Sequence, residues 1–257
     1  VSDVFGSAYA GAYDLLYRDK DYAGECDLIE HLFQRYDKGA VSHVLDLGCG
    51  TGNHAFLLAS RGYNVVGVER SEHMIALAER RLSQSPNGAT PRFERGDIRQ
   101  IDLGRRFDAA LILFAVLGYQ LENRDVLSTL KAARRHLRRD ALLIFDVWYG
   151  PAVLHMKPST RVQLIPAGET RILRVGSGRL DIATHTCTVR YQLWTFVGER
   201  VSNEIEESHQ MRYFFPRELD LFLETSGFCP VRLGAFPDFD REPNETTWNV
   251  IGVARAV

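Results

Sequence analysis

Residues 43–60 read His-Val-Leu-Asp-Leu, then Gly-Cys-Gly-Thr-Gly, then Asn-His-Ala-Phe-Leu-Leu-Ala-Ser. A short apolar strand runs straight into three glycines at alternate positions and from there into a helical stretch. Glycine lets the backbone turn sharply and approach a ligand closely. At the carboxyl edge of an open parallel sheet, such a loop lines a nucleotide-sized crevice. The flanking pattern agrees. Asp21 to Tyr36 reads as a helix with Leu28, Ile29, Leu32 and Phe33 as its apolar stripe, and valine-rich Tyr63 to Glu69 is a second strand. Ser71 caps a helix to Leu82; Arg92 to Arg95, Phe107 to Phe114 and Ala141 to Val147 are further strands, with a helix over Asp125 to Leu137. Pro216 to Ser226 is helical, and Pro230 to Ala235 and Trp248 to Val253 close the sheet. The alternation predicts an α/β fold: a doubly wound, seven-stranded, mostly parallel sheet with helices on both faces.

The pattern changes near Pro158. Residues 158–214 are β-rich, with Gly176-Ser177-Gly178 read as a turn, and are expected to form an antiparallel β insertion. Residues 1–22 form an arm before the sheet, and residues 1–257 are expected to make one domain. With a net charge of −2, the chain has no strong positive field to hold a nucleic-acid backbone. No apolar run approaches the roughly 18 residues of a membrane helix, and the polar and aromatic start is unlike a signal peptide. Neither nucleic acid nor a membrane is an expected partner. The four cysteines, Cys26, Cys49, Cys187 and Cys229, lack a CxxC pattern, which points to a reducing cytoplasm. The histidines at 31, 43, 54, 73, 136, 155, 185 and 209 are scattered, so no metal site is expected. Arg134-Arg135 and Arg138-Arg139 fit a helix C-terminus better than a nucleic-acid patch.

The glycine spacing bears on the ligand. A dinucleotide fingerprint, G-x-G-x-x-G, would place its third glycine at Asn53, but here it falls at Gly52. An NAD-dependent oxidoreductase is therefore a distant alternative, and no GK[ST] follows to make a phosphate loop. Asp46 is placed at the crevice mouth, where a carboxylate suits a cationic ligand end better than a pyrophosphate. Glu69, at the tip of the second strand, is either a solvated strand end or an acceptor for both ribose hydroxyls, as acids so placed are in dinucleotide sites. In Gly96-Asp97-Ile98-Arg99, Asp97 can take an adenine amino group and Ile98 can pack on the ring. Met74 either covers the other ring face or packs the core.

The stretch Asp46 to Gly52, Glu69, Gly96-Asp97 and the strand order resemble class I S-adenosylmethionine-dependent methyltransferases over roughly Val44 to Val147. The resemblance implies S-adenosyl-L-methionine as cofactor, with Tyr9, Tyr17, Asp46, Gly48, Cys49, Gly50, Glu69, Arg70, Met74, Asp97, Ile98 and Phe114 around it. A narrower likeness spans Tyr9 to Tyr22, Glu206 to Arg212 and Phe214 to Leu219. These segments resemble the N-terminal arm and late insertion of the sugar N,N-dimethyltransferases of antibiotic biosynthesis, which methylate the amine of nucleotide-linked sugars. The chain departs from that group in two places: Tyr119 stands where those enzymes carry a histidine, and Asp238 to Trp248 is longer.

What the resemblance implies chemically is an in-line displacement, in which alignment of the reacting atoms supplies much of the catalysis. An amine acceptor must be neutral to attack, whereas an alcohol needs a base or a metal. A small-molecule amine is the first expectation, with O-methylation as the alternative. On the acceptor side, Tyr119 follows the fourth strand, and Asp146, Trp148 and Tyr149 follow the fifth. Tyr9, Tyr13 and Tyr17 make a helical stripe that either packs the arm down or forms a lid. Tyr17 and Tyr119 are expected to act in catalysis by orienting the acceptor, because a phenol titrates near 10. Tyr13 and His209 complete the candidates, with Arg212 on the opposite strand face to His209. Cys49 reads as a small loop residue rather than a nucleophile. The insertion is expected either to cover the acceptor side or to form a homo-oligomer interface, since both of its faces carry large apolar groups.

Overall fold

The structure is a computed structural model that describes residues 6–37, 39–84 and 90–257. The first five residues of the expected arm lie outside the described residues. The chain begins with α1 (Ser7–Leu16) and α2 (Tyr22–Tyr36). There follow β1 (His43–Leu47), α3 (Asn53–Ser60), β2 (Asn64–Glu69), α4 (Glu72–Gln84), β3 (Arg92–Arg95) and β4 (Phe107–Ile112). A 3-10 turn (Val116–Tyr119) leads to α5 (Asn123–Arg135), β5 (Leu137–Trp148) and α6 (Gly150–Met156). Four strands come next: β6 (Arg161–Ala167), β7 (Thr170–Asp181), β8 (Thr186–Val197) and β9 (Arg200–Arg212). The chain ends with α7 (Pro216–Thr225), β10 (Phe228–Ala235) and β11 (Asn249–Ala256).

Local chemistry sets these boundaries. The Asp21 carboxylate accepts from Gly24 N–H at 2.8 Å and caps α2. Ser71 Oγ accepts from Met74 N–H at 3.4 Å at the start of α4. Pro216 occupies the first turn of α7, where its missing N–H costs nothing. Strand β4 stops two residues before the expected Phe114, because Phe114 and Ala115 adopt φ of 63° and 54°, which no strand allows.

The strands form a seven-stranded sheet in the order β10-β11-β5-β4-β1-β2-β3. Pairings among β1 to β5 are parallel, and β11 pairs antiparallel with both β5 and β10. Strand alternation splits the core in two. Leu45, Val66, Leu143, Phe145 and Val147 face α5 and α7, while Val44, Val65, Leu111, Leu142 and Ile144 face α2 and α3. Full burial of each such side chain contributes about 1.5–3 kcal/mol. No helix among the described residues is long and apolar enough to cross a membrane.

The insertion is a separate antiparallel sheet in the order β6-β7-β8-β9. Its inner face presents Ile165, Ile172, Tyr191, Leu193 and Ile205 to the α1 side chains Tyr9, Ala10, Tyr13 and Leu16. Its outer face leaves Val162, Leu164 and Val201 exposed. The segment Gly176 to Gly178 is not a turn. It lies within β7, with Gly176 paired to Tyr191 and Gly178 to Val189. These glycines permit close approach instead: a Cβ at Gly178 would meet Pro158 at 2.5 Å, and one at Gly176 would meet the Tyr191 ring at 3.2 Å. The reversals lie at Gly168 and Gly198, both with φ above +20°, and near His185.

Candidate active site

A cavity of about 970 Å³ opens at the carboxyl edge of the parallel strands, large for a ligand pocket. Its floor is the turn after β1. Gly48 takes φ of 83°, and a Cβ there would meet Val116 at 2.5 Å. Gly50 also has positive φ, but its missing Cβ faces open space, leaving the backbone bare beside the cavity. Cys49 lines the same floor, and burial pushes its thiol well above the usual range, which keeps it neutral.

Glu69, at the end of β2, is oriented by backbone donors. Its Oε2 accepts from Gly50 N–H at 3.2 Å and its Oε1 from Ser71 N–H at 2.7 Å. Burial still holds its pKa above the usual carboxylate value, against the pull of those bonds. A carboxylate has about four acceptor sites, so Glu69, lining the cavity, can still accept from further hydroxyls. Arg70 lines the wall beside it, and Met74 reaches in from α4, 2% exposed. Asp97 and Ile98 complete this half after β3. The Asp97 carboxylate takes Arg99 Nε and Nη2 at 3.0 and 2.6 Å, and Arg99 holds its pKa below the ordinary value.

Two carboxylates lie deeper. Asp46 was expected at the crevice mouth, but it is 2% exposed beneath the glycine turn and outside the cavity lining. It shares the strand face of Val44, turned toward α2 and α3, with His54 among its neighbours. Asp146, at the end of β5, does reach the cavity, with its Oδ2 accepting from Ala115 N–H at 3.0 Å. Asp46 Oδ2 and Asp146 Oδ1 have no hydrogen-bond partner among the described residues. Burial pushes both groups up to about 6. Orphaned buried carboxylate oxygens of this kind are chemistry for a cationic ligand group. Nearby, Glu25 bonds His54 Nε2 at 2.7 Å and pairs with Lys20, whose ammonium lies 4.8 Å from the Phe114 ring centroid. Burial works against ionisation of Glu25, but His54 and Lys20 outweigh it and lower the pKa.

The other half of the cavity is aromatic. Tyr9, Tyr13 and Tyr17 descend from the arm, and the Tyr17 ring meets Phe114 edge-on at 5.0 Å. Arg174 on β7 donates to Tyr17 Oη at 2.9 Å and lies 4.3 Å from the Tyr191 ring centroid. The Tyr119 hydroxyl is 2.8 Å from His209 Nδ1, and His209 Nε2 is 2.9 Å from Glu207 Oε2. Trp148 lines the rim, stacked edge-on against Trp248 at 5.6 Å. Tyr149 was expected beside it but lies elsewhere. It follows the parity of Leu143, Phe145 and Val147 and packs against their core on the opposite face of the sheet. Arg212 also points away from His209, toward Glu218 on α7.

Sequence reasoning missed several members: Glu25, His54 and Lys20 behind the floor, and Arg174, Tyr191 and Glu207 on the insertion. One signal was present, since Glu207 and His209 stand two apart on a strand and share a face. The rest are joined across long stretches of chain and leave no local pattern.

Residues 44–140 match a family model described as a methyltransferase domain. Among curated proteins, the chain is 28% identical over 227 residues to the dTDP-3-amino-3,6-dideoxy-alpha-D-glucopyranose N,N-dimethyltransferase of Streptomyces fradiae, covering 87% of this chain and 84% of that protein. Among solved structures, an S-adenosylmethionine-dependent methyltransferase from Clostridium acetobutylicum superposes with a TM-score of 0.81 at 20% identity, over 97% of this chain and 98% of the other. An amino pentose methyltransferase from Micromonospora echinaspora, solved with S-adenosylmethionine bound, superposes with a TM-score of 0.75 at 21% identity over the whole of both chains. The structural matches share this architecture of parallel sheet and antiparallel insertion.

Proposed function

We propose that this chain, an S-adenosylmethionine-dependent methyltransferase of class I fold, methylates the amine of an aminosugar or a closely similar small molecule. The observation that carries the reading is the division of one continuous cavity. One half holds the glycine turn, Glu69 and Asp97; the other holds Tyr17, Tyr119 and His209. Two reactants fit side by side, and the likeness to an aminosugar N,N-dimethyltransferase over most of both chains supports an amine as the second.

The residues present fit the cofactor. Glu69 receives the ribose hydroxyls, Asp97 the adenine amino group, and Ile98 and Met74 the two faces of the ring. The bare backbone at Gly50 admits close approach, and the orphaned oxygens of Asp146 and Asp46 supply negative potential for a cationic end. Bound S-adenosylmethionine supplies a methyl carbon activated by an adjacent sulfonium. The protein's share of the work is alignment and exclusion of water. Tyr9, Tyr13 and Tyr17 close the cavity from the arm, residues 1–22, as a lid. The insertion, residues 158–214, walls the acceptor half with Tyr191 and His209. Tyr17 and Tyr119 orient the acceptor through their hydroxyls. Burial raises the Tyr119 pKa well above the usual value, so this phenol stays protonated at neutral pH.

The test is product formation. Purified enzyme is incubated with S-adenosylmethionine and a panel of nucleotide-linked aminosugars, free aminosugars, simple amines and phenols, and S-adenosylhomocysteine is measured. Turnover is expected with aminosugars and absent with phenols. Turnover with phenols or alcohols alone would replace this reading with O-methylation.

A further inference from the structure

The insertion places a carboxylate, an imidazole and a phenol in sequence, ending at the acceptor half of the cavity. Glu207 and His209 share the inner face of β9, and Tyr119 closes the 3-10 turn after β4. The spacings are 2.9 Å from Glu207 Oε2 to His209 Nε2 and 2.8 Å from His209 Nδ1 to the Tyr119 hydroxyl. A carboxylate only accepts, so Nε2 carries the hydrogen and Nδ1 is left to accept from the Tyr119 hydroxyl. His209 is 3% exposed, walled by the rings of Tyr9 and Tyr191 at 5.4 Å each, with Arg174 beyond Tyr191. The other oxygen of Glu207 accepts from Gly6 N–H at 2.8 Å, at the start of the arm. The carboxylate that sets the histidine tautomer is also an anchor of the lid.

We infer that Glu207, His209 and Tyr119 form a proton relay that draws the surplus proton from the acceptor nitrogen, completed when the arm closes onto Glu207. The inference rests on the reading of the acceptor as an amine. As the nitrogen–carbon bond forms, the carbon–sulfur electron pair returns to sulfur, and the nitrogen is left with one proton too many. That proton passes to Tyr119 Oη while the hydroxyl proton of Tyr119 passes to His209 Nδ1. The positive charge lost by the sulfonium ends on the imidazolium, faced by Glu207, and is released to solvent when the cavity opens. Tyr119 never becomes a free phenolate, so its high pKa is no obstacle. Tyr119 is the catalytic residue because it touches the acceptor, while His209 holds the proton and Glu207 is a positioning residue acting through it. The geometry resembles the orientation of a histidine by a buried carboxylate in hydrolase triads, put here to proton removal.

The experiment pairs a direct readout with kinetics. In histidine-labelled enzyme, nitrogen NMR is expected to show His209 protonated at Nε2 and unprotonated at Nδ1; the reverse tautomer would overturn the relay whatever the acceptor. Glu207→Gln removes the charge and leaves a single acceptor oxygen, enough for one of the two bonds that Glu207 accepts. It is expected to lower kcat at least tenfold, leave the KM for S-adenosylmethionine within twofold, and move the acid limb of kcat to lower pH. The double variant Glu207→Gln, His209→Gln is expected to fall no further than His209→Gln alone, the mark of residues acting as a unit. A purely structural role for Glu207 predicts instead that Glu207→Gln keeps wild-type kcat and pH profile, and that result would refute the relay. Should only hydroxyl compounds be methylated, the amine reading fails. The tautomer and the double variant, measured on that acceptor, then decide the relay separately.

Discussion

Glu69 is the best-oriented candidate for a ligand contact in the cavity, because backbone donors already hold it. Gly50 and Ser71 hold one oxygen each, so no side-chain freedom remains to be lost when two hydroxyls arrive. Removing the carboxylate should therefore cost at least tenfold in cofactor affinity, about 1.4 kcal/mol. Isothermal calorimetry of Glu69→Ala with S-adenosylmethionine checks this, and an unchanged dissociation constant would remove Glu69 from the ribose site. The place of Glu69 at the end of β2 was legible in the sequence because a strand tip after a valine run marks the sheet edge. Asp46 was read too simply: it lies on the β1 face that packs toward α2 and α3, and burial by tertiary packing leaves no trace in spacing.

At the scale of elements, the arm is pinned in three places by groups distant in sequence. Gly6 reaches Glu207, and Tyr17 takes Arg174. Asp14 Oδ1 accepts from Thr51 Oγ1 at 2.6 Å and from Asn53 Nδ2 at 3.2 Å. The Asp14 contact ties the arm directly to the glycine turn. Asp14→Ala removes two hydrogen bonds at an exposed carboxylate, each worth about 0.5–1.5 kcal/mol. It is expected to raise the KM for S-adenosylmethionine and lower kcat together, as lid variants do, and deletion of residues 1–20 is expected to abolish turnover nearly completely. Circular dichroism should show the sheet still folded in the deletion. Full activity in the truncated protein would reduce the arm to packing.

For the molecule as a whole, the buried acids set how stability follows pH. Asp46 and Asp146 titrate near 6 in the folded protein, against about 3.9 in an unfolded chain. Between those values the native state holds more protons than the unfolded state, so these groups make stability fall as pH rises, with a constant cost above about 6. Each withholds on the order of 3 kcal/mol at neutral pH. Glu69 works in the same direction. Glu25, Asp97 and Asp108 have lowered values and oppose it only at lower pH, where stability is lost as they protonate. The cofactor-free protein should thus melt higher near pH 5 than at pH 7.5, and Asp46→Asn or Asp146→Asn should flatten that difference. Differential scanning calorimetry across this range provides the check; a melting temperature that climbs from pH 5 to 6.5 would contradict it.

What the sequence determined by itself was whatever short-range pattern encodes. Strand and helix periodicity, the glycine turn and the acid at the end of β2 were readable because backbone geometry and amphipathic burial act over a few residues. The same reach placed Tyr9 and Tyr13 on one face of α1, with Tyr17 at its C-cap. Tertiary structure alone decided which partners those side chains meet. Whether Gly176 and Gly178 turn the chain or admit Pro158 and Tyr191 depends on what packs against them. Tyr149 left the site because the register of β5 turned it to the other face. Glu207, His209 and Tyr119 meet only because the antiparallel insertion folds back over the sheet, and hydrogen bonds between distant segments have no period to read.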